Sequence, residues 1–176
     1  MNTALTIANG ANRLVRVIGE IMAWTGLAMV LVITANVMSR YFFSYGSVAL
    51  QELEWHLLAV GALFGMPYAV NQGEEVRVDV LYAHFGPRTK RWVNALSSLL
   101  LGLVAVAVAY LSIGFVRQSF LLMEGSPDPG GLPYRWILKA SIPAAFTLLA
   151  LQSFATFVID LARPQDGPAV GSLREE

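Results

Sequence analysis

Four stretches of this chain run without a lysine, arginine, aspartate or glutamate: Ile21 to Ser39, Trp55 to Gly73, Trp92 to Val116 and Ala140 to Ile159. At roughly 1.5 Å per helical residue, a run of about 19 residues crosses the roughly 30 Å hydrocarbon core of a bilayer. The pattern therefore predicts an all-α integral membrane protein with four transmembrane helices, over about 17–40, 53–72, 92–116 and 140–160. Charged residues gather at the ends of these runs because an ionised group at a helix centre costs about 2.5 to 3.5 kcal/mol. The second run shows this most plainly: it opens on Gln51, Glu52, Glu54 and His56 and closes on Glu74-Glu75-Val76-Arg77-Val78-Asp79. The third run, at roughly 37 Å, is long enough to tilt or to project beyond the lipid.

The punctuation between the runs fixes the order of elements. Met1 to Asn12 is a short polar to mildly apolar leader, and Arg13 and Arg16 precede the first span. A cleaved signal peptide is the competing reading of this end, but the apolar run exceeds the usual length and no small-residue cleavage site precedes a soluble domain. Arg40-Tyr41-Phe42-Phe43 sets a guanidinium and three rings at the exit of the first span, where rings prefer headgroup depth and the cation reaches water. Ser44 to Ser47 is a turn, with Ser47 placed to cap the second helix. Within that helix Gly61 and Gly65 form a small-xxx-small face for another helix, and Pro67 predicts a bend.

Val76, Val78 and Val80 alternate with Arg77 and Asp79, which predicts a short interfacial, amphipathic segment between helices 2 and 3. Pro87 then starts a helix whose Arg88, Lys90, Arg91 and Trp92 make a basic collar. Gly102 gives the third span a small packing position. Arg117 to Lys139 is the longest connector, built on Gly125-Ser126-Pro127-Asp128-Pro129-Gly130-Gly131, and Tyr134, Arg135 and Trp136 bring the chain back to the interface. Residues 1–161 thus form one membrane domain, and 162–176, with Pro164, Gly167, Pro168 and Gly171, a flexible tail.

Composition sharpens this picture. Of 176 residues 56% are hydrophobic and 14% charged, against about 25% charged in a soluble domain. Basic and acidic residues balance at twelve each, so no net field draws the chain to nucleic acid. Cysteine is absent, which excludes disulfides and thiolate metal sites. Arg13, Arg16, Arg77, Arg88, Lys90, Arg91, Arg163 and Arg174 fall on one side of the predicted membrane, and Arg40, Arg117, Arg135 and Lys139 on the other. That excess places both termini in the cytoplasm and turns Glu52, Glu54 and Asp128 outward.

Little in the chain suggests chemistry. It has no phosphate loop, nucleophile elbow or metal cluster, and its two histidines, His56 and His84, lie on opposite sides of the bilayer, which argues against haem and against any other cofactor. Glu52 and His56 stand one turn apart as a candidate acid-sensing pair, and Glu20 is the candidate intramembrane carboxylate. These residues would serve the rival reading, a self-sufficient four-helix homo-oligomeric transporter or channel; a small membrane-embedded enzyme lacks the polar cluster it needs.

The motifs and their order resemble the small membrane subunit of tripartite ATP-independent periplasmic (TRAP) transporters, the DctQ-like family. The likeness rests on Asn36-Val37-Met38-Ser39-Arg40-Tyr41-Phe42, Gln51-Glu52-Leu53-Glu54-Trp55, Val76-Arg77-Val78-Asp79-Val80, and Leu132-Pro133-Tyr134-Arg135-Trp136 followed by Ile142-Pro143. Glu75 departs from it, since many members carry histidine there. The resemblance implies a non-enzymatic scaffold in the bacterial inner membrane. Such a subunit braces a large elevator-type subunit (DctM-like) during sodium-coupled uptake of an organic acid delivered by a periplasmic binding protein (DctP-like). The 125–131 stretch and the Gln-Glu-Leu-Glu-Trp-His opening look more like members serving 2-oxo or hydroxy acids than those serving sialic acid. On this expectation Arg40, Arg88, Lys90, Arg91, Trp92 and Trp136 anchor the chain in phospholipid, Gly61, Gly65 and Gly102 pack on the large subunit, and Glu52, Glu54 and Asp128 face the periplasmic partner.

Overall fold

A computed structural model describes residues 2–74, 82 and 85–162. It contains four long helices, α1 (Asn2–Phe43), α2 (Val48–Gln72), α3 (Pro87–Leu121) and α4 (Arg135–Ala162), and no strand among the described residues. All four are long and apolar enough to cross a membrane. The predicted interfacial segment around Val76 to Val80, His84 and the tail beyond residue 162 lie outside the described residues.

The helices overrun the uncharged stretches at both ends. α1 begins at Asn2 instead of near residue 17 and spans 42 residues, roughly 63 Å, twice what the hydrocarbon needs. Tertiary packing accounts for the extension: Ala8 and Ala11 are buried against Ala155, with Val158 and Ile159 of α4 beside them. α2 starts as its sequence predicts, with the Ser47 side chain accepting from Leu50 N at 3.3 Å. It ends at Gly73, whose φ of 78° lets Glu74 N reach Ala69 O at 3.0 Å. α3 opens on Pro87 and continues to Leu121, while α4 starts at Arg135, five residues before its uncharged run. The connector is accordingly only 122–134, shorter than the Arg117 to Lys139 segment the polarity suggested.

α4 sits at the centre of the arrangement, touching each of the other three helices, and α1 and α2 lie side by side and antiparallel. Small residues allow these approaches. A methyl group on Gly19 would fall within 2.7 Å of Tyr68 Cβ, one on Gly61 within 2.8 Å of Thr25 Oγ1, and one on Gly102 within 3.3 Å of the Phe154 ring. Ala105, Leu149 and Ala150 form the buried seam between α3 and α4.

Candidate functional site

The polar chemistry of the molecule collects at two levels. At one end of the bundle, Asn71 near the end of α2 donates through Nδ2 to Asn12 O and to Gln152 Oε1, both at 3.0 Å. Gln152, only 2% exposed, donates through Nε2 to Asn12 Oδ1 at 2.8 Å and to Thr156 Oγ1 at 3.2 Å. Three helices are thereby tied by amides alone. An amide in an apolar surround needs each of its donors and acceptors met, so these bonds specify which residues of α1, α2 and α4 lie level with one another.

At the opposite end stands Glu52, in the second turn of α2. Its carboxylate accepts from the Ser126 hydroxyl, from Leu132 N at 2.6 Å and from Arg135 Nη2 at 3.1 Å, tying the 122–134 connector at two points and the first residue of α4 at a third. The connector is built for that grip. Met123, Gly130 and Tyr134 all take positive φ (45°, 82° and 62°), a cost for the two side-chain-bearing residues that the bonds around them offset. Ser126 N donates to Leu132 O at 3.1 Å and Arg135 N to Glu124 O at 2.9 Å, closing the loop across its base. A methyl on Gly131 would come within 2.8 Å of Glu52 Oε2, so glycine is needed there for contact rather than for φ. Glu124 pairs with Lys139, whose ammonium also lies 4.1 Å from the centre of the Phe115 ring. The hydrogen bond from the Lys139 ammonium holds the Glu124 carboxyl below its usual range.

The residues expected to face a periplasmic partner therefore occupy different settings. Glu52 is 12% exposed and committed to its own loop; Glu54 accepts from Asn36 Nδ2 at 3.0 Å across the α1–α2 seam; Asp128 is exposed at the loop tip. The Glu52 carboxylate does not meet His56, because the His56 ring takes the Glu52 main-chain oxygen at 2.6 Å while the carboxylate turns to the loop. Glu20, the candidate intramembrane carboxylate, forms an exposed i,i+4 pair with Arg16 at 2.9 Å.

Among the expected membrane anchors, Arg40, Arg88 and Trp92 are exposed, and Arg40 lies beside the exposed rings of Tyr41, Phe42 and Phe43. Lys90 stands 5.2 Å from the centre of the Tyr82 ring, and Arg91 donates to Leu161 O near the end of α4. Trp136 instead turns inward, edge-on to Phe120 with centroids 5.2 Å apart. Of the three packing glycines, Gly61 and Gly102 already meet side chains of this chain, and Gly65 has open space in front of it. Gly65 lines a groove of about 280 Å³ between α1 and α2.

Sequence reasoning missed the bonding of Asn12, Asn71 and Gln152 and the Gly19–Tyr68 contact, and it used Asn36 only as part of a family motif. A signal was present for Gln152, a large amide in the middle of an apolar run.

Four apolar helices, cross-tied by amides and closed at one end by a pinned loop, define a multi-pass membrane protein. Its particular family follows from comparison with known proteins: residues 29–163 match the model of the DctQ component of tripartite ATP-independent periplasmic transporters. The chain belongs to that family, as the small subunit of a TRAP transporter. No curated protein matches it.

Proposed function

We propose that this chain braces a large, elevator-type DctM-like subunit in the bacterial inner membrane, for sodium-coupled uptake of an organic acid that a DctP-like periplasmic protein delivers. The observation that carries the reading is the family match, which runs from within α1 through α4. The charge distribution supports it: the uncharged centres of all four helices suit a stator better than a pathway for an anion, which needs compensating charge at membrane depth. In this reading the membrane domain covers residues 1–161, both termini and the 162–176 tail are cytoplasmic, and the 122–134 loop faces outward with Asp128 foremost. Gly65 and its groove offer the large subunit a close approach, while Arg40, Arg88 and Trp92 set the depth of the brace. The likeness of the 125–131 stretch and of the Gln-Glu-Leu-Glu-Trp-His opening to some members supports a substrate of the 2-oxo or hydroxy acid kind.

The test is purification of the tagged chain from its native membrane in mild detergent, followed by reconstitution. A large hydrophobic partner should co-purify, and sodium-driven uptake should need that partner and a binding protein. A homo-oligomer that transports unaided and stops when Glu20 is neutralised would overturn the proposal.

A further inference from the structure

We infer that the cleft between the start of α2, the 122–134 loop and the start of α4 binds a phospholipid headgroup carrying a primary ammonium, of the phosphoethanolamine type. The cleft measures about 520 Å³, with Trp55 and Leu138 on its apolar side and His56, Asp128, Arg135 and Lys139 among its polar residues. Pockets of this size suit a small-molecule ligand.

Position selects an amphiphile. The uncharged run of α2 begins at Trp55 and that of α4 at Ala140, so the apolar side of the cleft lies at the edge of the hydrocarbon, while Asp128 stands in the loop beyond it. A soluble metabolite gains nothing from a wall continuous with lipid; a molecule with a polar head and apolar chains fits both parts. Trp55 is 72% exposed on that wall, where an indole suits headgroup depth.

Charge selects the headgroup. Arg135 is paired with Glu52 and Lys139 with Glu124, which leaves Asp128 as an exposed carboxylate in no ion pair among the described residues. The acids and cations that line the cleft balance, Glu52 and Asp128 against Arg135 and Lys139, which suits a headgroup of no net charge, and Asp128, the acid in no ion pair, calls for a cation near the loop. Arg135 and Lys139 each keep N–H donors beyond the bonds they make to Glu52 and Glu124, and these can meet phosphate oxygens. An ammonium–phosphate zwitterion supplies both halves. Phosphatidylglycerol brings no cation for Asp128 and would leave the balanced cleft with a negative excess, and phosphatidylcholine has no N–H to give the Asp128 carboxylate.

This inference rests on the membrane reading alone and is independent of transport. The full chain, in micelles doped equally with phosphatidylethanolamine, phosphatidylglycerol and phosphatidylcholine, is examined by native mass spectrometry. One phosphatidylethanolamine should be retained preferentially. Asp128→Asn should cut that preference roughly two- to fivefold, the range of a solvent-accessible ion pair, and Trp55→Ala should weaken retention of all three lipids. Both side chains are exposed, and unchanged helical melting would show that the variants fold. Equal retention of the three lipids, or a preference that survives Asp128→Asn, would overturn the inference. Displacement by glycerophosphoethanolamine would also overturn it, by assigning the cleft to a soluble zwitterion, as would loss of the lipid on adding the large subunit, by assigning it to a protein contact.

Discussion

Replacing Gln152 with methionine, close to it in length and volume, tests whether amides hold the helices in register. The side chain is 2% exposed and makes two bonds to other helices, to Asn71 Nδ2 at 3.0 Å and to Asn12 Oδ1 at 2.8 Å. In a water-soluble core, stranding two buried polar groups would cost about 1–3 kcal/mol each. In a bilayer the unfolded helices find other partners, and interhelical hydrogen bonds average about 0.6 kcal/mol. The second scale governs here, because Asn71 keeps its bond to Asn12 O and stands two residues before the wet end of α2 at Gly73. The two lost bonds therefore come to about 1.2 kcal/mol, close to an eightfold shift in the unfolding equilibrium. Reversible unfolding of the purified chain in mixed detergent micelles measures it, and a double-mutant cycle with Asn71→Ala isolates the shared bond. The pair should couple by about 0.5 kcal/mol or more. Additivity within measurement error, or a Gln152→Met variant as stable as the parent, would refute the register role.

Other expectations follow from single contacts. Gly19→Ala should destabilise by about 1–3 kcal/mol, because the new methyl meets the Tyr68 side chain, and Tyr68→Ala should restore much of the loss in the same unfolding assay. Gly65→Ala should leave the isolated chain as stable as the parent, its Cβ meeting nothing within 4 Å, yet reduce co-purification of the large subunit; normal co-purification would remove Gly65 from that interface. Glu52→Ala strips the acceptor from Ser126, Leu132 N and Arg135, so limited proteolysis at the 125–131 loop should quicken roughly tenfold while the helices survive. Acid should loosen the same loop through Glu124, whose folded pKa lies below the usual 4.5. Its contribution is complete above that unfolded value and disappears as pH falls through the lower folded one, so protection should be flat from about pH 5 to 8 and decline below about 4. Glu124→Gln should remove Glu124's share of that acid response and leave the share carried by the Glu52 carboxylate, which accepts from Ser126 and Leu132 N of the same loop.

The part of this fold that could be read from the sequence is the part that lipid dictates. Uncharged runs set the number of helices, and Ser47 and Pro87 set where two of them begin, because burying charge in hydrocarbon and leaving helix ends uncapped are large local penalties. What escaped depends on which residue meets which. Nothing local distinguishes Gly19, which Tyr68 covers, from Gly65, which faces open space, and the longer reach of α1 rests on Ala155, more than a hundred residues away. Glu52 is the instructive case. As a carboxylate in an early helical turn it reads as a solvated, dipole-matched acid, and in the structure it shapes a loop some 80 residues downstream. That reassigns its part in the proposed assembly. Glu52 sets the form of the 122–134 loop, and Asp128 is the exposed acid of the proposed docking face, so on that proposal mutating the two should have separable effects: Asp128→Asn on docking with the loop intact, Glu52→Ala on both. Binding of the cognate periplasmic protein to the reconstituted transporter, measured beside proteolysis of the loop, distinguishes them. Equal docking by Asp128→Asn and the parent would confine both acids to the architecture of this chain.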